Sequence, residues 1–156
     1  MSKALHSILL AIELATRQRD ALARKYAQAI RSVDFATGQM AQLQGYANEI
    51  DARWGNQRNS SLTVEMLHHH YQFRDRLQHA VSLQVGTIAK LQEQQDAAQQ
   101  ALLKAQYRLA GLGQVLASRQ ATLQQAEQRR EQRAMDEFAA QIHARKASLQ
   151  LTGEHT

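Results

Sequence analysis

The chain has 156 residues, enough for one ordinary domain, yet it contains no proline, no cysteine, seven glycines and only 5% aromatic residues. A heavy bias to Ala, Gln, Arg, Leu and Glu is the composition of long helices and coiled coils, and the lack of cysteine excludes disulfides and thiolate metal sites. The net charge of +5 is spread evenly: residues 1–54, 55–116 and 117–150 each carry about two more basic than acidic side chains, with no five-residue Lys/Arg run. Interleaved charge solvates a helical rod and does not build the focused positive stripe that nucleic acid requires.

The first element opens on an apolar stretch, residues 8–12, which stops at Glu13 and the Arg17, Arg19, Asp20 cluster. It is far short of the roughly 20 residues of a membrane span and runs into a heptad pattern where a leader would have a cleavage site, so neither membrane insertion nor a signal peptide is expected. Alternating steps of three and four pick out Leu5, Ile8, Ile12, Ala15, Arg19, Leu22, Tyr26, Ala29, Val33, Ala36, Met40, Leu43, Ala47, Ile50 and Trp54. A stripe that narrow must be covered by another helix and implies left-handed supercoiling. The spacing predicts a first helix over about 3–54.

Gly55 then suits the C′ position that closes a helix at positive φ, and the polar stretch 56–61 suits a turn, with Ser60 or Ser61 as the next N-cap. The turn is placed at 55–61 and a second helix over about 62–150. Its stripe is Leu67, His70, Arg74, Leu77, Val81, Gln84, Ile88, Leu91, Gln95, Ala98, Leu102, Ala105, Leu109, Leu112 and Leu116. Reversal at the turn pairs Ile50 with Leu67, Met40 with Leu77, Ala29 with Ile88, Tyr26 with Leu91 and Ile8 with Leu109, while Arg19 falls opposite Ala98. The predicted fold is therefore all-α, a single domain made of a long two-stranded antiparallel coiled-coil hairpin. Met1 ends opposite Leu116, leaving 117–150 as an overhanging C-terminal helix whose stripe is broken by Arg129, Arg130, Arg133 and Arg145. Gly111 and Gly113 could bend the second helix, and a disordered tail is expected over 152–156.

Nothing in this pattern supports catalysis. Gly111-Leu112-Gly113 has Leu116 where a dinucleotide fingerprint needs its last glycine, and no strand precedes it. His68, His69 and His70 point about 100° apart on a helix and do not converge on one ion. The chain is read as a non-enzyme with no catalytic, cofactor-binding or metal residues and no cofactor. Two groups lie outside the seam. Leu9, Leu10, Leu14, Leu103 and Val115 make the open end apolar on more than one face, as a partner-binding end would be. Near the turn, Gln39, Leu43, Tyr46 and Ile50 recur at helical spacing, as do Phe73, Leu77, Ala80 and Gln84. Tyr46 and Phe73 fall off the seam and are the better docking anchors. Gly38 and Gly45 could admit a close backbone.

These residues resemble the FliJ family of the bacterial flagellar type III export apparatus. The likeness covers about residues 5–145 and rests on Arg17, Arg19 and Asp20, on Gln42-Leu43-Gln44 with Tyr46, on the turn leading into Leu67, Tyr71, Phe73 and Leu77, and on the Gln/Arg-rich stretch reaching Arg129-Arg130-Glu131. The resemblance implies a cytoplasmic stalk, peripherally associated with the inner-membrane export apparatus, that couples ATP hydrolysis to export. Its paired termini would enter the hexameric export ATPase (FliI), through Leu9, Leu10, Leu14, Leu103 and Val115. The export gate protein (FlhA) would be met by Gln39, Leu43, Tyr46, Ile50, Phe73, Leu77, Ala80 and Gln84, and export chaperones would be escorted. Ile50 stands where the family often has an aromatic, and Gln84 where it has histidine. The free chain is expected to be a monomer. The alternatives are the equivalent stalk of a virulence injectisome, or a homodimeric scaffold paired through 117–150.

Overall fold

The structure is a computed structural model that describes residues 3–57 and 63–154. Two helices make up the described chain, α1 (Lys3–Gln57) and α2 (Val64–Glu154), packed against each other as a hairpin, and no strand occurs among the described residues. Every one of the fifteen stripe positions of α1 is buried or half-buried, and on α2 only Arg74 of the stripe is exposed. The seven-residue repeat thus finds the covering partner that it demands. The core is thin: Leu5, Ile8, Ala15, Ala36, Met40 and Ala98 are its buried members.

The ends of the helices differ from expectation. α1 continues through Gly55 to Gln57, and no described glycine has positive φ, so Gly55 is an ordinary helical residue and not a C′ cap. No proline interrupts the backbone ladder at that point. The N-cap of α2 is Thr63: its Oγ1 accepts a hydrogen bond from the Met66 N–H at 3.3 Å, and its carbonyl accepts from the Leu67 N–H at 3.2 Å. Glu65 adds a carboxylate to the first turn, where the helix dipole favours it. Ser60 and Ser61, the expected caps, lie outside the described residues, as does the start of the second helix proposed at residue 62. At the far end α2 runs through Thr152 to Glu154, beyond the expected onset of a disordered tail, and its helix is unbroken at Gly111 and Gly113.

The chain divides into two compact units, one of residues 15–108 and the other of the described parts of 1–14 and 109–156. In the first, the register differs from the sequence pairing by one heptad. Gln84 reaches Ala36 and Gln39, Arg74 reaches Asp51, and His70 stacks on Trp54. Met40 is therefore level with Gln84 and not with Leu77, Ala36 with Ile88, and Tyr26 with Ala98. A seam with a seven-residue repeat looks the same after a seven-residue slide, so the repeat alone leaves the register open. Arg19 is level with Ala105 instead of Ala98, half-buried, with its guanidinium on the Asp20 carboxylate at 2.8 Å. In the second unit Leu5 and Ile8 are buried and Leu109, Leu112 and Leu116 half-buried, whereas beyond Leu116 every described side chain but that of Ala126 is exposed.

Candidate functional site

The turn-proximal candidates all lie in the unit of residues 15–108. Leu43, Ile50, Leu77, Ala80 and Gln84 are half-buried, as seam and seam-flanking positions should be. Tyr46 and Phe73 are 59% and 50% exposed, large ring surface that the hairpin itself does not use. Gln39 is exposed but engaged: Gln84 Nε2 donates to Gln39 Oε1 at 3.2 Å and to the Ala36 carbonyl at 2.8 Å. The structure thus joins two predicted residues that are 45 positions apart in sequence. Helical periodicity puts Gln39 and Tyr46 on one side of the α1 stripe, and Phe73 and Ala80 on one side of the α2 stripe. On the opposite side of the seam runs an open groove of about 250 Å³, lined by Gln44, Asn48, Ile50, Leu77 and Gln78 and crossed at its rim by the 3.8 Å Asp51–Arg74 pair. Ile50 and Leu77 therefore line the groove between the helices, while Tyr46 and Phe73 offer the projecting rings.

Two exposed residues that sequence reasoning passed over extend this face. Phe35, 69% exposed, is four residues before Gln39, and Leu83, 60% exposed, is three residues after Ala80. The three-and-four spacing that selected Gln39 and Ala80 would have selected them too, had it been followed one step further. The histidines diverge as their spacing requires. The His70 ring lies parallel to Trp54, 3.8 Å between centroids and 7° between planes, and His68 Nε2 is 3.2 Å from Gln72 Nε2. Gly38 and Gly45 face open space: apart from the adjoining residues and the local helix backbone, no atom lies within 4 Å of where a Cβ would stand.

Leu9, Leu10 and Leu14 are 37%, 52% and 55% exposed, and Val115, in the same unit, is 42% exposed. Leu103 is half-buried and belongs to the unit of residues 15–108. No described helix is long and apolar enough to cross a membrane.

No curated protein matches the chain. Residues 3–148, however, match the family described as Flagellar FliJ protein. With the heptad stripe, the helical hairpin and this match along nearly the whole length, the chain belongs to the FliJ family of flagellar export-related proteins.

Proposed function

We propose that this chain is the stalk of the flagellar export apparatus, binding the hexameric export ATPase at its apolar end and the export gate protein at its turn-proximal face. The observation that carries the reading is the pairing of unused apolar surface with a self-sufficient seam. Leu10, Leu14, Tyr46 and Phe73 are each at least half exposed, although the stripe that closes the hairpin needs none of them. Such surface is characteristic of protein contacts, aromatic rings above all. Leu9, Leu10, Leu14, Leu103 and Val115 would meet the ATPase ring. Tyr46 and Phe73 would anchor the gate, flanked by Gln39, Leu43, Ile50, Leu77, Ala80 and Gln84. Such a stalk works by differential contacts in different states, not by bond chemistry, and acts at the cytoplasmic face of the inner membrane. Escort of export chaperones belongs to the same reading.

The test uses the full chain with its cognate export ATPase. Added protein should promote hexamer formation and raise ATP hydrolysis, and Leu10→Gln/Leu14→Gln should abolish that effect with helical content unchanged. Stimulation by the double variant equal to that of the unaltered chain would remove the assignment of this end.

A second reading, a homodimeric scaffold, is favoured by Met135, Phe138, Ile142 and Leu149, all exposed on the overhang. Light scattering separates the two: a monomer supports the stalk, and a stable dimer lost on deleting residues 127–154 supports the scaffold.

A further inference from the structure

Charges that alternate along the sequence are sorted around the axis of the hairpin. In the unit of residues 15–108, steps of seven back from Gln39 on α1 reach Lys25, and steps of seven on from Ala80 on α2 reach Arg108. Lys90 and Lys104 flank the same side of the α2 stripe. Over residues 18–35 and 87–108 the positions flanking the seam on that side hold no carboxylate. Asp20, Asp34 and Asp96 fall on the other side, which over the same levels holds no Lys or Arg. Lys25, Lys90, Lys104 and Arg108 are all exposed, and among the described residues none of them makes an ion pair.

An open groove of about 440 Å³ runs between the helices on this basic side. Lys25 and Gln28 line it from α1 and Gln94 from α2, over a floor that includes Leu22, Ala29 and Ala98. Ala98 is buried, and Leu22 and Ala29 are half-buried. Lys90 is one turn before Gln94, and Lys104 is about two turns after Ala98 on the same side, so the two lysines bracket the groove along α2.

We propose that this side of the hairpin docks an acidic amphipathic helix of a partner protein. Charge complementarity names the class of partner: four exposed cations without counter-charges repel one another and attract a surface of opposite sign. The floor names its shape. Over methyl side chains a helix can lie close and set leucine-sized residues between α1 and α2. Lys90 and Lys104 are fourteen residues apart, about 21 Å along the axis, so the matching carboxylates span about four helical turns. Nucleic acid fits this groove less well, because no aromatic ring lines it for a base to stack on and phosphates would leave the apolar floor uncovered. A second copy also fits less well. Its Asp20 carboxylate is already held by Arg19 at 2.8 Å, and pairing unlike sides of one chain does not close into a ring of two. The site shares no residue with the surfaces proposed for the ATPase and the gate, and stands whether or not those are right.

The probe is a fluorescein-labelled helical peptide of about 21 residues, with leucine at its seam positions and glutamate flanking them. Its counterpart carries lysine for every glutamate. Fluorescence anisotropy with the full chain should show binding of the acidic peptide alone, weakening as salt rises. Lys25→Glu/Lys90→Glu/Lys104→Glu should weaken it about tenfold or more, whereas Asp34→Lys/Asp96→Lys on the other side should change it by less than about threefold. Ala29→Gln/Ala101→Gln, which fills the groove and leaves the charge unaltered, should weaken it about tenfold. Circular dichroism should show the same helical content in every variant. The proposal is overturned if both peptides bind alike, if the groove-filling or the charge-reversed variant binds as the unaltered chain does, or if duplex DNA binds as tightly as the acidic peptide. Self-association of the chain that the triple Lys→Glu variant abolishes would give this side to a second copy and overturn it too.

Discussion

Residues 15–108 and the stretch beyond Leu116 share the same Ala/Gln/Arg-rich composition and are equally helical, yet only the first has a covered face. The difference is the stripe. Between Leu77 and Leu116 the three-and-four steps land mostly on apolar residues, and those residues are buried or half-buried. Continued past Leu116, the same steps meet Arg119, Arg130 and Arg133, and exposure follows. Helix formation in this chain therefore tracks intrinsic propensity, whereas association tracks the spacing of apolar side chains; the two are separable properties of one sequence.

Introducing a charge should separate them most strongly. Ala36 is 2% exposed, so Ala36→Asp places an unpaired carboxylate in the seam and should cost about 3 kcal/mol or more. Phe138, at 65% exposure, should tolerate Phe138→Asp within about 0.5 kcal/mol. Urea denaturation followed by circular dichroism reads both, and equal losses would mean that the overhang is covered in the free chain.

A smaller effect of opposite sign sharpens the boundary of α1. Gly55 is helical and a methyl group there would meet nothing beyond its own helix, so Gly55→Ala should stabilise the hairpin by about 1 kcal/mol. A helix that closed at Gly55 with positive φ would instead be destabilised by the same change, so the sign of the shift in midpoint decides between them. Smallest of all is the rim pair. Asp51 and Arg74 are about half exposed and 3.8 Å apart, and Asp51→Asn should move the stability by no more than about 0.5 kcal/mol, with the difference vanishing in high salt.

Most of the architecture is legible because a heptad repeat is redundant: fifteen positions on α1 vote for one face, and the single charged voter, Arg19, is held by its neighbour Asp20. Register is not legible for the same reason, since periodic evidence cannot distinguish an alignment from its translate by one period. In the structure it is marked by a contact that the repeat does not contain, the stack of Trp54 on His70. The turn itself misleads at Gly55, where a glycine's permissiveness looks like a requirement. On the candidate face, Tyr46 and Phe73 stand out as rings off the stripe, but Phe35 emerges only when the spacing is followed in the other direction as well.

The thinness of the core has a dynamic corollary. Six of the described residues are buried, three of them alanine, and the seam positions between them are only half-buried. Opening one layer forfeits little beyond that layer, so fluctuations should be local and graded, like the teeth of a zip parting a few at a time. Amide hydrogens near Ala36, Met40 and Ala98 should exchange slowest, with protection decaying smoothly away from them and no single cooperative step releasing the whole ladder.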